Sequence, residues 1–230
     1  MDKHLTEHPT EGVVSLVLFL IARNYPVGPK RIRRLLKVMG RETLYRRKNL
    51  TKLGLRQFIR PYLLNGLTID RPNQVWCTDI TYIPMKKGFM YLTAIIDVYS
   101  RKIVGWSISN SLSARWCKGM LEEAIAEHGI PEIINTDQGT QYTSALWTQY
   151  LERLGIKISM DGKGRALDNV WIERFWKSIK YDYIFLNPAD DGFELYEGVQ
   201  NHIAYYNDKT HHTTRQSPNK RYHETIKKAA

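Results

Sequence analysis

Between residues 75 and 182 the hydrophobic period switches in a fixed order, and that order restricts the fold more than any other feature of the chain. Three β-rich runs come first, at 75–83, 91–97 and Ile103–Ser109, joined by short turn-compatible stretches at 84–88 and 98–102. Runs this close together can only pair as an antiparallel meander. A helical pattern follows over Ala114–His128 and is ended by Gly129-Ile130-Pro131. A short strand at 132–136, a helix at 144–154, another strand at 156–160 and a helix at 164–182 complete the series. The order βββαβαβα specifies an α/β sandwich whose mixed five-stranded sheet starts antiparallel and continues in parallel, with helices on its faces.

The helix expected over 164–182 carries two kinds of surface. Asn169, Glu173, Lys177 and Lys180 recur at helical spacing along one polar stripe, and Asn169, Lys177 and Lys180 are candidates for nucleic-acid contact. Val170, Ile172, Phe175, Trp176, Ile179 and Tyr183 cover much of the rest, so this helix packs on the sheet. Asp168 is the expected N-cap, which sets Glu173 in the first two turns.

Three carboxylates are candidates for chemistry. Asp79 interrupts the otherwise apolar or neutral run WCTDITYI in what the meander makes an interior strand. A carboxylate there needs a cation or hydrogen bonds. Asp137 falls where a strand runs into Gln138-Gly139-Thr140, at the carboxyl edge where α/β sheets place their ligands. Glu173 projects from the helix. Two acids from a sheet and one from a helix form an all-oxygen donor set, which suits magnesium, with manganese as substitute, rather than zinc. Such a set, holding two ions, fits phosphodiester cleavage or transfer, in which water or a 3′-hydroxyl attacks and no protein nucleophile is required. Each acid also has an ordinary structural explanation: a buried ion pair for Asp79, a turn for Asp137, and an i, i+4 pair with Lys177 for Glu173. Asp97 is read as a partner of Arg101.

A formal net charge of +11, from 34 Lys+Arg against 23 Asp+Glu, favours a polyanionic partner, nucleic acid first. At the amino end, an apolar helical pattern at 12–22 is broken at 24–28 before Pro29 opens a second helix to about Met39, a helix-turn-helix outline. Lys30, Arg31, Arg33, Arg34 and Lys37 crowd the outer side of that second helix and are candidates for DNA contact. The organisation expected is a DNA-binding segment at 1–39, a basic linker at 40–70, a catalytic core at 71–182, and a carboxyl-terminal helix with a basic tail at 183–230. No run is long enough for the roughly 20 apolar residues of a membrane span. No secretory leader is evident, so a cytoplasmic protein is expected. Cys77 and Cys117 are too few and too far apart for a disulfide framework or zinc site and are read as reduced packing residues.

The segments RPNQVWCTDITYIP, YLTAIIDVYSRKIVGW, INTDQGTQYTS and ISMDGKGRALDNVWIERFWKSIKYD, spanning roughly residues 71–182, together resemble a DDE transposase. The core they describe is ribonuclease-H-like, of the retroviral-integrase type. The resemblance is to the second-frame product of the bacterial insertion sequence three family. It implies that Asp79, Asp137 and Glu173 are the metal-binding triad, and that Lys180, seven residues after Glu173, is the basic residue aimed at DNA near the scissile phosphate. It also implies a magnesium-dependent enzyme that nicks element ends and joins a 3′-hydroxyl to target DNA, acting as a homo-oligomer on DNA near the nucleoid. Relatives of this kind carry a further amino-terminal DNA-binding region made by fusing two reading frames, so the first-frame protein is an expected partner. Two other readings stay open on the residues alone: a ribonuclease-H-like nuclease or resolvase without strand transfer, and a DNA-binding regulator with an idle core.

Overall fold

The computed structural model describes residues 1–8, 11–41, 60–162 and 169–229, and of residues 225–229 the backbone only. The chain divides into two compact units, Met1–Lys52 and Leu53–Ala230.

The first unit holds three helices, α1 (Asp2–Glu7), α2 (Val13–Ile21) and α3 (Pro29–Val38). Leu5, Leu16, Ile32 and Leu36 form its small core, one or two from each helix. Pro29 starts α3 because its locked φ suits the first helical turn, where its missing N–H costs nothing. The helix α1 did not stand out in the sequence; an Arg41–Asp2 ion pair at 3.0 Å ties it to the residues after α3. Lys30, Arg31, Arg33, Arg34 and Lys37 are all exposed on α3.

The second unit is built on a five-stranded sheet in the order β3-β2-β1-β4-β5. The strands are β1 (Val75–Pro84), β2 (Phe89–Asp97), β3 (Ile103–Ser109), β4 (Ile133–Thr136) and β5 (Lys157–Met160). β1, β2 and β3 pair antiparallel, whereas β4 joins β1, and β5 joins β4, in parallel. The mixed sheet anticipated from the βββαβαβα order, antiparallel and then parallel, is therefore present. Alternation along the strands divides two cores. Val75, Cys77, Leu92, Ala94 and Ile96 face α6 (Val170–Ile179) and α7 (Gly192–Asp208). Trp76, Ile95, Val104 and Ile134 face α4 (Ala114–His128) and α5 (Ala145–Arg153). Each large apolar side chain buried this way contributes about 1.5–3 kcal/mol. Ser113 and Ser144 cap α4 and α5 by accepting the N–H groups of Trp116 and Trp147, and Gly129, at φ +86°, ends α4.

Gly105 of β3 marks the closest approach of sheet to helix. A Cβ there would stand 2.9 Å from the Ala124 Cβ of α4 and 3.2 Å from the Met120 sulfur. Gly105→Ala is therefore expected to destabilise the fold by ~1–3 kcal/mol through overpacking. Thermal unfolding checks this, at about 2–4 °C per kcal/mol for a domain of this size.

Several local expectations need correction. The helix foreseen over 164–182 begins at Val170 with Asn169 as its N-cap residue and passes at Lys180–Ile184 into a π-helical turn. Asp168, the expected cap, lies outside the described residues, as do residues 42–59 of the expected linker. Residues 60–70 pack on the sheet unit: the Leu63 N–H donates to Ser159 Oγ at 2.9 Å, and Leu64 is in the core. The polar tail contains a helix, α8 (Pro218–Ala229), anchored by Tyr222. That side chain is 2 % exposed, and its hydroxyl donates to Asn73 Oδ1 at 2.8 Å. Polar composition hid a helix fastened by one buried aromatic. Asp97 does not pair with Arg101 in the expected way. Its Oδ1 accepts from the Ser100 N–H and hydroxyl and its Oδ2 from the Asn73 N–H, so backbone turns satisfy it. Cys77 and Cys117 are free and buried, as packing residues should be.

Candidate active site

β1 is the centre of the sheet, and its odd-numbered residues face α6. Asp79 therefore projects beneath that helix, half-buried, with its backbone paired to Ala94 of β2. β1 and β4 run in parallel with Cys77 opposite Asn135, the last pair before the strands part. Continuing that register by two residues sets Asp137 beside Asp79 on the same face. Asp137 follows directly on β4, at the carboxyl edge of the sheet. A polar network fixes that edge. Asn135 Nδ2 donates to Asp161 Oδ1 at 2.7 Å, Ser159 Oγ donates to Asn135 Oδ1 at 2.7 Å, and Gln138 Nε2 donates to the Asp161 carbonyl at 2.9 Å. None of these residues had been singled out from the sequence. Their signal was weak, because single polar residues near strand ends are common in any α/β chain.

Glu173 comes from the first turn of α6 and is exposed. The helix is held down by Ile172, Phe175, Trp176 and Ile179, the apolar face read from the sequence. Two polar contacts add direction. Trp176 Nε1 donates to Asp79 Oδ2 at 2.9 Å, and Lys180 Nζ donates to Thr81 Oγ1 at 2.6 Å. Trp176 had been placed among packing residues only. The requirement that a buried Asp79 find a donor was visible, but which donor it finds depends on how α6 crosses β1.

The charges of the three acids are felt at Asp79. Asp79 has its carboxyl pushed up to about 6, first by burial and then by the negative charges of Asp137 and Glu173. The Trp176 indole and the Ile80 N–H act against that rise. Asp137 reaches solvent, yet its surroundings desolvate it enough to raise its carboxyl, and the Gly139 N–H, donating at 2.9 Å, opposes the rise. A Cβ on Gly139 would stand 2.8 Å from Asp137 Oδ1, so that loop accepts no side chain without moving the carboxylate. Burial lowers the Lys180 ammonium, while the charge of Asp79 raises it. Among the described residues, no three His, Cys, Asp or Glu side chains are gathered closely enough to hold a metal ion.

The remaining expected site residues are distributed unevenly. Lys177 is exposed on α6 with Glu173, and the Glu173–Lys177 ion pair is absent among the described residues. Asn169 does not lie on that exposed stripe. It is 5 % exposed, its Nδ2 donates to the Thr78 carbonyl at 3.4 Å, and its Oδ1 is buried with no partner among the described residues. As the N-cap residue, with φ −125° and ψ 29°, it leaves the helical spiral that the periodicity assumed. Lys30, Arg31, Arg33, Arg34 and Lys37 belong to the other unit.

Known proteins share this arrangement. Residues 69–166 and 154–217 each match an integrase core domain family. The chain is 35% identical over 212 residues to the transposase for insertion sequence element IS904 of Lactococcus lactis, covering 88% of this chain and 82% of that one. It is 34% identical over 179 residues to transposase InsF for insertion sequence IS3A of Escherichia coli, covering 75% of this chain and 62% of that longer protein. Among solved structures, the catalytic core domain of HTLV-2 integrase in complex with magnesium superposes with a TM-score of 0.56 at 21% identity. It covers 66% of this chain and 98% of that one. The simian T-cell lymphotropic virus intasome in complex with PP2A regulatory subunit B56 gamma gives 0.60 at 18% identity, covering 92% of this chain and 74% of that one. These likenesses establish the fold. No helix among the described residues is long and apolar enough to cross a membrane. With its sheet order and its sequence likeness over most of its length, the chain belongs to the DDE transposases of the bacterial insertion sequence three family, polynucleotidyl transferases with an integrase core.

Proposed function

We propose that this chain performs the chemistry of insertion-sequence movement, cleaving DNA at the element ends and joining the freed 3′-hydroxyl to target DNA. The observation that carries the reading is Asp79, a half-buried carboxylate whose pKa is raised to about 6 with Asp137 and Glu173 contributing their charge. The part of that rise due to the two neighbouring charges is one that a bound dication would offset. Asp79, Asp137 and Glu173 would hold the metal, magnesium with manganese as substitute and two ions in all, which supplies Lewis acidity to the phosphodiester and its attacking oxygen. The likeness to an integrase core solved with magnesium supports that choice. The chain's own residues hold the carboxylates in place: Trp176 fixes the Asp79 oxygen and Gly139 that of Asp137.

DNA, both element ends and target, is the substrate. Lys180 and Lys177, beside Glu173, engage the strand near the reacting phosphate, with Asn169 seated at the base of α6. Lys30, Arg31, Arg33, Arg34 and Lys37 of α3 contact DNA from a separate amino-terminal unit, residues 1–39. Homo-oligomerisation on DNA is supported by the likeness to an intasome. Association with the first-frame protein of the same element is supported by Val14, Leu18 and Ile21, which leave an apolar stripe of α2 exposed. A cytoplasmic, nucleoid-associated location follows from that substrate.

The test is cleavage and joining of labelled DNA carrying the element ends, with magnesium or manganese, comparing the chain with Glu173→Gln. Nicked and joined products, lost in the variant, are expected. Nicking without joining would leave a nuclease, and binding without either reaction would leave a regulator. Lys180→Ala is expected to lower the slope of log affinity against log salt by about 0.9 on duplex DNA, the value for one neutralised phosphate. An unchanged slope with unchanged cleavage would remove Lys180 from the DNA path.

A further inference from the structure

On the flank of α6 away from Glu173 lies a cavity of about 370 Å³. Arg101 of the β2–β3 turn, Trp171 and Arg174 of α6, and Lys209 and His211 after α7 line it, and none of its lining residues is acidic. Arg101, Arg174 and Lys209 are permanent cations, and none of the three has an ion pair among the described residues. Arg101 is held in a left-handed turn at φ +70°, with its guanidinium 5.6 Å from the Trp171 ring. Its Nη1 is buried with no hydrogen-bond partner among the described residues. Asp97 is near enough for the Arg101 charge to favour its ionised form, but its oxygens accept from Ser100 and Asn73 and it makes no ion pair with the guanidinium among the described residues. Burial lowers the guanidinium to about 10, and Arg221 and Arg174 push the same way, so at neutral pH the cavity keeps its charge against mutual repulsion. A buried donor without an acceptor is costly, and an anion in the cavity would satisfy it.

The geometry points to a phosphate site: we infer that this cavity receives one backbone phosphate of a DNA strand that passes over α6 from the catalytic acids. Trp171, Arg174 and Ser178 recur at i, i+3 and i+7 on one stripe, roughly 110° around the helix from Glu173 and Lys177. Exposed Tyr181 stands between the two stripes, flanked by Lys177 on one and Arg174 on the other. A strand engaged at Glu173 that crosses here passes both cations and ends in the cavity. Planar guanidinium groups match phosphate oxygens in pairs, and Thr210 and Thr213 add hydroxyl donors, whereas the Ser178 hydroxyl donates to Asp182 at 2.8 Å. The DNA source of the phosphate rests on the transposase reading above, whereas the anion site itself does not.

Two measurements on the full chain separate these. Arg174 and Lys209 are exposed, so Arg174→Gln and Lys209→Gln leave the fold intact; Lys157→Gln, on exposed β5 surface, serves as control. The first measurement is the thermal midpoint in sodium phosphate against sodium chloride at equal ionic strength. Phosphate should raise the midpoint of the wild-type chain and of Lys157→Gln but not of the Arg174→Gln/Lys209→Gln double variant. The second is the salt dependence of duplex DNA binding. Its log–log slope should fall by about 0.9 for each phosphate that the double variant no longer neutralises, and stay unchanged in the control. Loss of both effects supports the inference. Loss of phosphate stabilisation with an unchanged DNA slope overturns the DNA source and leaves a site for free phosphate. No phosphate stabilisation in the wild-type chain, with an unchanged slope, overturns the site itself. If the wild-type chain fails to bind DNA while phosphate still stabilises it, the transposase reading has failed and the DNA source falls with it.

Discussion

Asp79→Asn is expected to lower metal-dependent cleavage and joining by at least about 10³-fold, ~4 kcal/mol of transition-state stabilisation, while making the metal-free protein more stable. Both effects have one cause. The carboxyl of Asp79 sits near 6 in the fold because burial and two neighbouring acids disfavour its charge. In the unfolded chain it titrates at its ordinary value of 3.8. Below both values the carboxyl is neutral in either state, and it costs nothing. As pH rises from about 4 through 6 the folded state retains the proton while the unfolded state loses it, so stability falls, reaching a penalty of up to ~3 kcal/mol above pH 6. Asparagine keeps the shape and an oxygen to accept the Trp176 N–H, but has no charge to desolvate. Denaturant unfolding at pH 8 without metal should therefore show the variant ahead, and the gap should narrow at pH 5. Added magnesium should stabilise the wild-type chain and leave the variant unmoved. Cleavage retained within about tenfold of wild type would remove Asp79 from the chemistry.

Trp176→Phe is the second large effect, expected at about 10- to 100-fold in metal affinity or cleavage, the usual cost of losing a group that orients a metal ligand. The aromatic ring and most of its packing remain, so the fold should survive. What disappears is the indole N–H on Asp79 Oδ2, one of the two interactions that hold the carboxyl down. Without it the Asp79 carboxyl rises further, and the acidic limb of the pH–rate profile should move to higher pH. That pair of results would make Trp176 a positioning residue. A manganese titration together with that profile checks the role. A fall in activity with an unmoved acidic limb would make Trp176 a packing residue only.

The strand and helix order was legible because each element from Val75 to Met160 carries its own period and its own punctuation. Gly129 and Pro131 stop a helix wherever they stand, and Ser113 and Ser144 cap helices through hydrogen bonds that reach only three residues along the chain. The polar partners of the acids were not legible. Trp176 and Asp79 are separated by 97 positions, and Tyr222 and Asn73 by 149. No local pattern encodes which indole or phenol arrives at which carboxylate or amide. Asn169 shows the same limit at shorter range: periodicity set it on a polar stripe, and its N-cap backbone turned it into the sheet.

By itself the sequence determined the mixed sheet, Asp79 within an interior strand, Asp137 at a strand end, Glu173 on a packing helix, and the basic faces, because these follow from local periodicity and side-chain type. Tertiary structure decided how the acids are held and charged. The crossing of α6 over β1 delivers Trp176 to Asp79, and the register of β1 with β4 sets Asp137 alongside it. It also gathered Arg101, Arg174 and Lys209, distant in sequence, around one cavity with no acid in its lining. Burial and the summed field of neighbours depend on distances through space, and those exist only once the chain has folded.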